Sequence, residues 1–500
     1  MTNRSKHFHL LLLLCHLVFA NSISAQSKSE ENGLRLAGIF GNNMVLQRET
    51  DAAIWGYAKP AATVTIQPSW SENPVTVTAD ENGKWKTTIA TPEAGGPFEI
   101  AFQSDNEKLL LDNVMSGEVW ICSGQSNMQW KMGGFGVDHF KEAVQKADHP
   151  NIRLGYVPQV LALEPQEDVR ARWTVCNPKT VLGFSAVAYF FANKLDQELD
   201  GIPIGLVSTS WGGSAAQAWV NQEALLEECP EFAESYKEYP EKIERLGALH
   251  PNRKRPKGMS QSLPSVLYNN MIRPIAPYTC RGVIWYQGES NVKKPAQYQR
   301  IFPTLIKSWR DEWGQGDFPF YYVQIAPFHY KREPLPTALL RESQFKALDI
   351  PNTAMVVTMD IGDPTNIHPK QKQPVGERLA NLALALDYGQ TDLVYSGPQY
   401  VSSEVVDNQI RIQFKHIGSG LASRDEKPLS HFTIAGADQV FHPAIAVIEE
   451  DSIVVRSEQV AEPVAVRFAW GNADEPNLMN KEGLPSSSFR TDEWLSLIHI

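Results

Sequence analysis

The apolar residues of this chain change their spacing twice, and that limits the fold more than any other feature. From about residue 33 to 113, runs such as "AAIWGYA", "ATVTIQPSW", "PVTVTA" and "FEIAFQ" alternate apolar with polar positions and are separated by Gly, Pro, Asn or Asp. From "GEVWICSG" onward, solid apolar runs take over. "IPIGLVSTSWGG", "CRGVIWYQGES", "PFYYVQIAP" and "TAMVVTMD" read as buried strands, and "GFSAVAYFFANKLDQELDG" and "AQYQRIFPTLIKSWRDEW" read as helices. Strands alternating with helices imply an α/β fold, a parallel sheet covered on both faces. From about 395, "QIRIQFKH", "HFTIAG", "SIVVRS" and "AVRFAWG" return to β alternation. The expected organisation is a β-sandwich over 33–113, an α/β domain over 114–394 with a helix-rich insert near 220–260, and a second β module over 395–492. A length of 500 residues suits two to four such units.

The first residues read as a leader peptide. Arg4 and Lys6 precede an apolar run from Leu10 to Ala20 and then small residues, so residues 1–25 are expected to be a secretory signal peptide. The run is shorter than the roughly 20 residues a spanning helix needs. Export to a periplasm or the extracellular space follows as an expectation. Losing Arg4 and Lys6, with no acid lost, takes the formal charge from -11 to -13. An acidic chain repels nucleic acid and anionic membrane surfaces. Cys122, Cys176, Cys229 and Cys280 remain, and an oxidising compartment makes one or two disulfides expected among them. There is no CxxC pair and no HExxH, so the spacing indicates no metal site. The terminal "LSLIHI" has no readable pattern.

Three apolar runs end in unusual polar sequences. "VWICSGQSNMQW" places Ser126 and Asn127, "GLVSTSWGGSAAQAW" places Gly212, Gly213 and Ser214, and "GVIWYQGESN" places Gln287, Glu289 and Asn291. In open α/β sheets ligands gather beyond the carboxyl ends of the strands, so all three can face one crevice. Ser126 is then a candidate nucleophile. A glycine pair lets the backbone approach closely and present an N–H, as an oxyanion hole requires, and a nearby glutamine offers a side-chain donor. A serine hydroxyl needs a base within hydrogen-bond reach. His368, in "DIGDPTNIHPKQKQPVGERLA", follows a strand and precedes a helix, with Asp360 and Asp363 upstream to orient its imidazole.

Taken together, "GEVWICSGQSNMQW", "WGGSAAQAW", "VIWYQGESN", "LRESQ", "NIHPKQKQPVGERLA", "NNMVLQR" and "NLMNKEGLP…FRTDEW" resemble the sialate O-acetylesterase-like carbohydrate esterases of the SGNH hydrolase superfamily. "GQSN" lacks the second glycine of GxSxG, so the α/β-hydrolase elbow does not fit. The resemblance implies an SGNH-type, flavodoxin-like sheet and a serine esterase that needs no cofactor. It makes Ser126 the nucleophile and His368 the base, and it places the N–H groups of Ser126 and Gly212 in the oxyanion hole. The family's third block offers an Asn donor; here Gln287 is favoured, since an ionised Glu289 would repel an oxyanion. Glu289 and Arg341 become substrate-binding candidates. The family's Asp, three positions before the histidine, is Thr365 here, followed by Asn366. Asp363 is the favoured third member, with Asp360, Glu289, a backbone carbonyl or a Ser–His dyad as alternatives. The implied substrate is an O-acetylated sialic acid. The rivals are an acetylated plant polysaccharide such as acetylxylan, and a non-catalytic sugar-binding scaffold using Trp70 or Trp130.

Overall fold

The structure, a computed structural model, describes residues 33–134, 139–246, 259–330 and 337–494. The expected leader and "LSLIHI" lie outside them. The strand that organises everything else is β1 (Glu107–Gly124), whose 18 residues change character half-way. Its first half is largely exposed, while its last nine residues, from Ser116 on, are all buried. The first half pairs antiparallel with Gly95–Ser104, and that strand pairs with Thr63–Pro68. A three-stranded sheet of Arg35–Leu36, Asp51–Tyr57 and Lys84–Ala90 faces this layer, with Trp85 of one meeting Phe102 of the other at 6.2 Å. The second half of β1 is the central strand of the parallel sheet. The chain therefore passes the expected boundary at 113/114 without leaving its strand.

The sheet continues with β2 (His149–Tyr156), β3 (Arg172–Cys176), β4 (Ile204–Ser208), β5 (Gly282–Tyr286), β6 (Phe320–Val323) and β7 (Thr353–Val356). Its order is β3-β2-β4-β1-β5-β6-β7, with only β3 antiparallel to its neighbour. Without the added pair β2 and β3, the five parallel strands run second-first-third-fourth-fifth. That is the flavodoxin-like order, whose ligand crevice opens between the first and third strands. Here those strands are β1 and β5. They end level, Tyr286 opposite Gly124.

Both faces of the sheet are covered, as solid apolar runs require. Val119, Ile121, Val283 and Trp285 point into one core, which Trp309 of helix α3 (Pro295–Trp313) closes. Trp120, Cys122, Ile284 and Tyr286 point into the other, beneath α2 (Ala186–Glu198) and α5 (Lys372–Leu386). Ser185 caps α2 by accepting from Ala188 N at 3.2 Å. Gly376 lets the two helices touch, since a Cβ there would lie 2.6 Å from the Val187 carbonyl oxygen. Each fully buried Phe or Leu in these cores contributes about 1.5–3 kcal/mol.

The C-terminal part forms antiparallel sheets. Gln399–Val406, Gln409–Lys415, Ser452–Arg456 and Ile445–Glu449 make one, and Phe489 of another stacks on Tyr400 at 5.0 Å. The disulfide expectation is corrected, because Cys122, Cys176, Cys229 and Cys280 are all free and buried. Cys122 and Cys176 sit in one core and Cys229 and Cys280 in the other, where they pack as small apolar groups. Among the described residues, no helix is long and apolar enough to cross a membrane.

Candidate active site

β1 must stop where its backbone meets β5. Gly124 ends it at φ +136°, and a Cβ there would lie 2.2 Å from the Tyr286 carbonyl oxygen, so only glycine fits. Gln125 N donates to that same carbonyl at 2.9 Å, and the chain turns at once into the short helix α1 (Ser126–Gln129). Ser126 heads α1, whose first N–H groups lack intrahelical acceptors. Its hydroxyl lies 2.8 Å from His368 Nε2. The imidazole leans on the Trp130 ring at 5.2 Å. Burial and the charge of Lys372 hold His368 below the usual histidine range, which keeps its ring neutral and able to take a proton.

Gly212 closes the other side. A Cβ on it would stand 3.3 Å from Ser126 Cβ, so it reaches the nucleophile as expected. Its N–H is occupied, however, donating to Gln129 Oε1 at 2.6 Å.

Beneath Ser126 lies a buried polar group of four. Asn127 Nδ2 donates to Glu289 Oε1 (2.6 Å) and to the Ile367 carbonyl (3.1 Å), and Asn127 Oδ1 accepts from Lys372 Nζ (2.5 Å). Lys372 is 1% exposed, and burial lowers it to about 7. Burial raises Glu289. Nζ of Lys372 lies 5.5 Å from the Tyr286 ring centre and 5.9 Å from that of Trp130.

A serine hydroxyl, a neutral imidazole bonded to it and a close-approaching glycine make an acyl-transfer constellation. Residues 116–385 match the family described as "Carbohydrate esterase, sialic acid-specific acetylesterase". Sialate O-acetylesterase of Homo sapiens is 32% identical over 403 residues, 73% of each chain, and that of Mus musculus is 32% identical over 437 residues. The chain belongs to the sialic acid-specific acetylesterase family of carbohydrate esterases. It is a carboxylic ester hydrolase. Among solved structures, a carbohydrate acetylesterase from Xanthomonas citri is 38% identical with a TM-score of 0.81, over 92% of this chain and 100% of that one.

Several expected site residues of this esterase do other work. Asp363 does not orient His368. Its exposed carboxylate accepts from Thr365 N (2.9 Å) and Thr365 Oγ1 (2.7 Å), which hold it below the usual carboxylate range. Asp360 pairs with Arg378 at 2.6 and 2.8 Å. Neither Asp nor Glu289 bonds the imidazole. The histidine loop is held through its backbone, with His368 N donating to Asn366 Oδ1 at 3.0 Å.

Gln287 is not an oxyanion donor. It is fully buried, and its two amide protons go to the Ser214 carbonyl (3.2 Å) and Asn291 Oδ1 (2.7 Å). Asn291 Oδ1 also accepts from Ala216 N, so the pair braces the chain after the glycine turn. Glu289 is reached by Asn127, and its second oxygen has no hydrogen-bond partner among the described residues. Arg341 cannot meet substrate. It is 0% exposed on α4 (Thr337–Lys346), donating from Nε to Ser488 Oγ and from Nη2 to the Ala469 and Gly471 carbonyls. It ties the α/β part to the C-terminal sheets. Trp130 sits beside His368, not on a β module, and half-buried Trp70 bonds the Ala90 carbonyl.

Sequence reasoning missed Gln125, Gln129 and Lys372 and gave Asn127 no role. Gln125 Oε1 accepts from Ser290 N at 3.3 Å, Asn127 reaches the Ile367 carbonyl and Gln129 reaches Gly212 N, so alternate residues of "QSNMQ" reach three different loops. The signal was a turn richer in carboxamides than a turn needs. Lys372 carried none beyond its place four residues after His368.

Proposed function

We propose that this esterase removes O-acetyl groups from sialic acids through an acyl-enzyme on Ser126. The observation that carries the reading is the 2.8 Å contact between Ser126 Oγ and His368 Nε2. Ser126 Oγ attacks the acetyl carbonyl and its proton passes to His368. The acyl oxygen, now negative, is held by the N–H of Ser126 and by that of Gly212 once Gln129 Oε1 is displaced. His368 gives its proton to the sugar oxygen as the ester bond breaks. Water, losing a proton to His368, then attacks the acetyl-serine, and His368 returns that proton to Ser126 Oγ as acetate leaves. The family match and the sialate O-acetylesterases at 32% identity support sialic acid as the sugar. The leader read at residues 1–25 supports an exported enzyme.

A second reading, acetyl removal from a neutral polysaccharide, is favoured by one observation. The neighbour from Xanthomonas citri, at 38% identity, is described only as a carbohydrate acetylesterase. Acetate release from 9-O-acetyl-N-acetylneuraminic acid and from acetylated xylan, compared as kcat/KM, separates the two. Faster release from xylan would replace the sialic acid reading.

A further inference from the structure

We infer that Asn127 is the positioning residue of this site: its carboxamide, gripped at both ends, registers the loop carrying His368 against the turn carrying Ser126. The inference rests on the Ser126–His368 reading above. Two consecutive residues of α1 meet two consecutive residues of the histidine loop. Ser126 Oγ meets His368 Nε2 at 2.8 Å, and Asn127 Nδ2 meets the Ile367 carbonyl at 3.1 Å. Two contacts fix a distance and a rotation, where one would leave the imidazole free to swing. Elsewhere a carboxylate behind the imidazole performs that task. Here Asp363 is engaged with Thr365 and Asp360 with Arg378.

The residue type follows from the donors and acceptors required. One atom must accept from Lys372 Nζ, and one must donate twice, to Glu289 Oε1 and to the Ile367 carbonyl. A primary amide does both, whereas aspartate has no donor and serine has one. The partners also fix which way the amide points. Lys372 Nζ donates to its oxygen and Glu289 Oε1 accepts from its nitrogen, and the flipped amide would set N–H against Nζ and C=O against a carboxyl oxygen. Asn127 is 0% exposed, Lys372 1% and Glu289 8%, so water does not weaken that preference. Lys372 opens α5 one turn after His368, so the same grip anchors the helix that the histidine loop leads into.

The charged groups around His368 make the test specific. Lys372 is the charge acting on the imidazole, Glu289 faces Lys372 from the turn after β5, and Asp360 and Asp363 are committed elsewhere. Four proteins are compared with 4-nitrophenyl acetate: wild type, Ser126→Ala, Asn127→Ala and Lys372→Met, each with near-UV circular dichroism. Misplacing a base by about 1 Å costs on the order of 100-fold, so folded Asn127→Ala should lose about that in kcat with KM within about threefold. Lys372→Met should lower kcat and move the acidic limb of kcat/KM to higher pH, a shift that a purely structural role would not produce. Folded Asn127→Ala with wild-type kcat overturns the inference. If Asn127→Ala does not fold, Lys372→Met decides: an unmoved limb with unchanged kcat overturns it, and a moved limb with reduced kcat upholds it. Turnover surviving in Ser126→Ala would instead remove the nucleophile assignment, so the two failures are distinguishable.

Discussion

His368 Nε2 stands 2.8 Å from Ser126 Oγ across 242 positions of sequence, and the acid expected behind it, Asp363, is bonded to Thr365 instead. The contact joins the end of β1 to the loop before α5, the crevice that the strand order predicts. The misplaced acid separates two roles that usually occur together. Proton removal needs an imidazole within reach, and its orientation can come from the backbone.

Replacing Ser126 or His368 by Ala should therefore lower kcat for 4-nitrophenyl acetate by at least about 1,000-fold with the fold intact, because each removes one half of a two-part nucleophile. Asp363→Ala should change kcat by less than about threefold, since the exposed carboxylate serves only its own turn. A loss above 100-fold in Asp363→Ala would show that the acid reaches the imidazole during turnover.

The pH dependence follows from the direction of the His368 shift. Only neutral imidazole accepts the serine proton, so activity rises with pH as His368 deprotonates. Burial and Lys372 place that deprotonation below the usual histidine value of about 6.5. The acidic limb of kcat/KM should lie below pH 6.5, with a plateau through neutrality. A midpoint at 7 or higher in a buffer series at constant ionic strength would contradict the environment described for the ring.

Strand ends were legible in the sequence because a solid apolar run broken by Gly and polar residues fits little besides a buried strand and its exit turn. Ser126 and Gly212 were singled out that way, whereas His368 stood out through Asp360 and Asp363 upstream, which bond Arg378 and Thr365 instead. The period change was visible too, but it marked a change of environment along one strand, so β1 crosses the expected boundary. Asp363 was unreadable because a short acid can bond backbone two residues on, and sequence does not show that competition. Gln287 failed because an amide at a strand end points either into the crevice or beneath it. Lys372 was hidden by the ordinary expectation that lysine is exposed.

Arg341 supplies a stability test of a corrected assignment. Three hydrogen bonds from a fully buried guanidinium link α4 to Ser488, Ala469 and Gly471. Truncating it leaves buried acceptors unmet, so Arg341→Ala should cost roughly 3 kcal/mol and lower Tm by several degrees. Its KM for 4-nitrophenyl acetate should stay within twofold. A large KM rise with unchanged Tm would return Arg341 to the substrate site.

Asp387, at the end of α5, offers a pH-dependent stability test away from the catalytic centre. Its Oδ2 accepts from Tyr321 Oη at 2.6 Å, and burial raises its pKa from 3.8 to about 6. The folded protein thus holds this proton more tightly than the unfolded chain does. That stabilisation is complete below about pH 3.8 and is lost as pH rises to about 6; above that a buried charge is carried at constant cost. Asparagine keeps an acceptor for Tyr321 and never ionises. Asp387→Asn should therefore raise Tm by a few degrees at pH 7.5, and the gain should shrink as pH falls through 6 toward 4. Thermal melts of both proteins across that range give the curve directly. A gain that stayed constant or grew toward pH 4 would reverse the sign and place the carboxylate in a charge-stabilising environment.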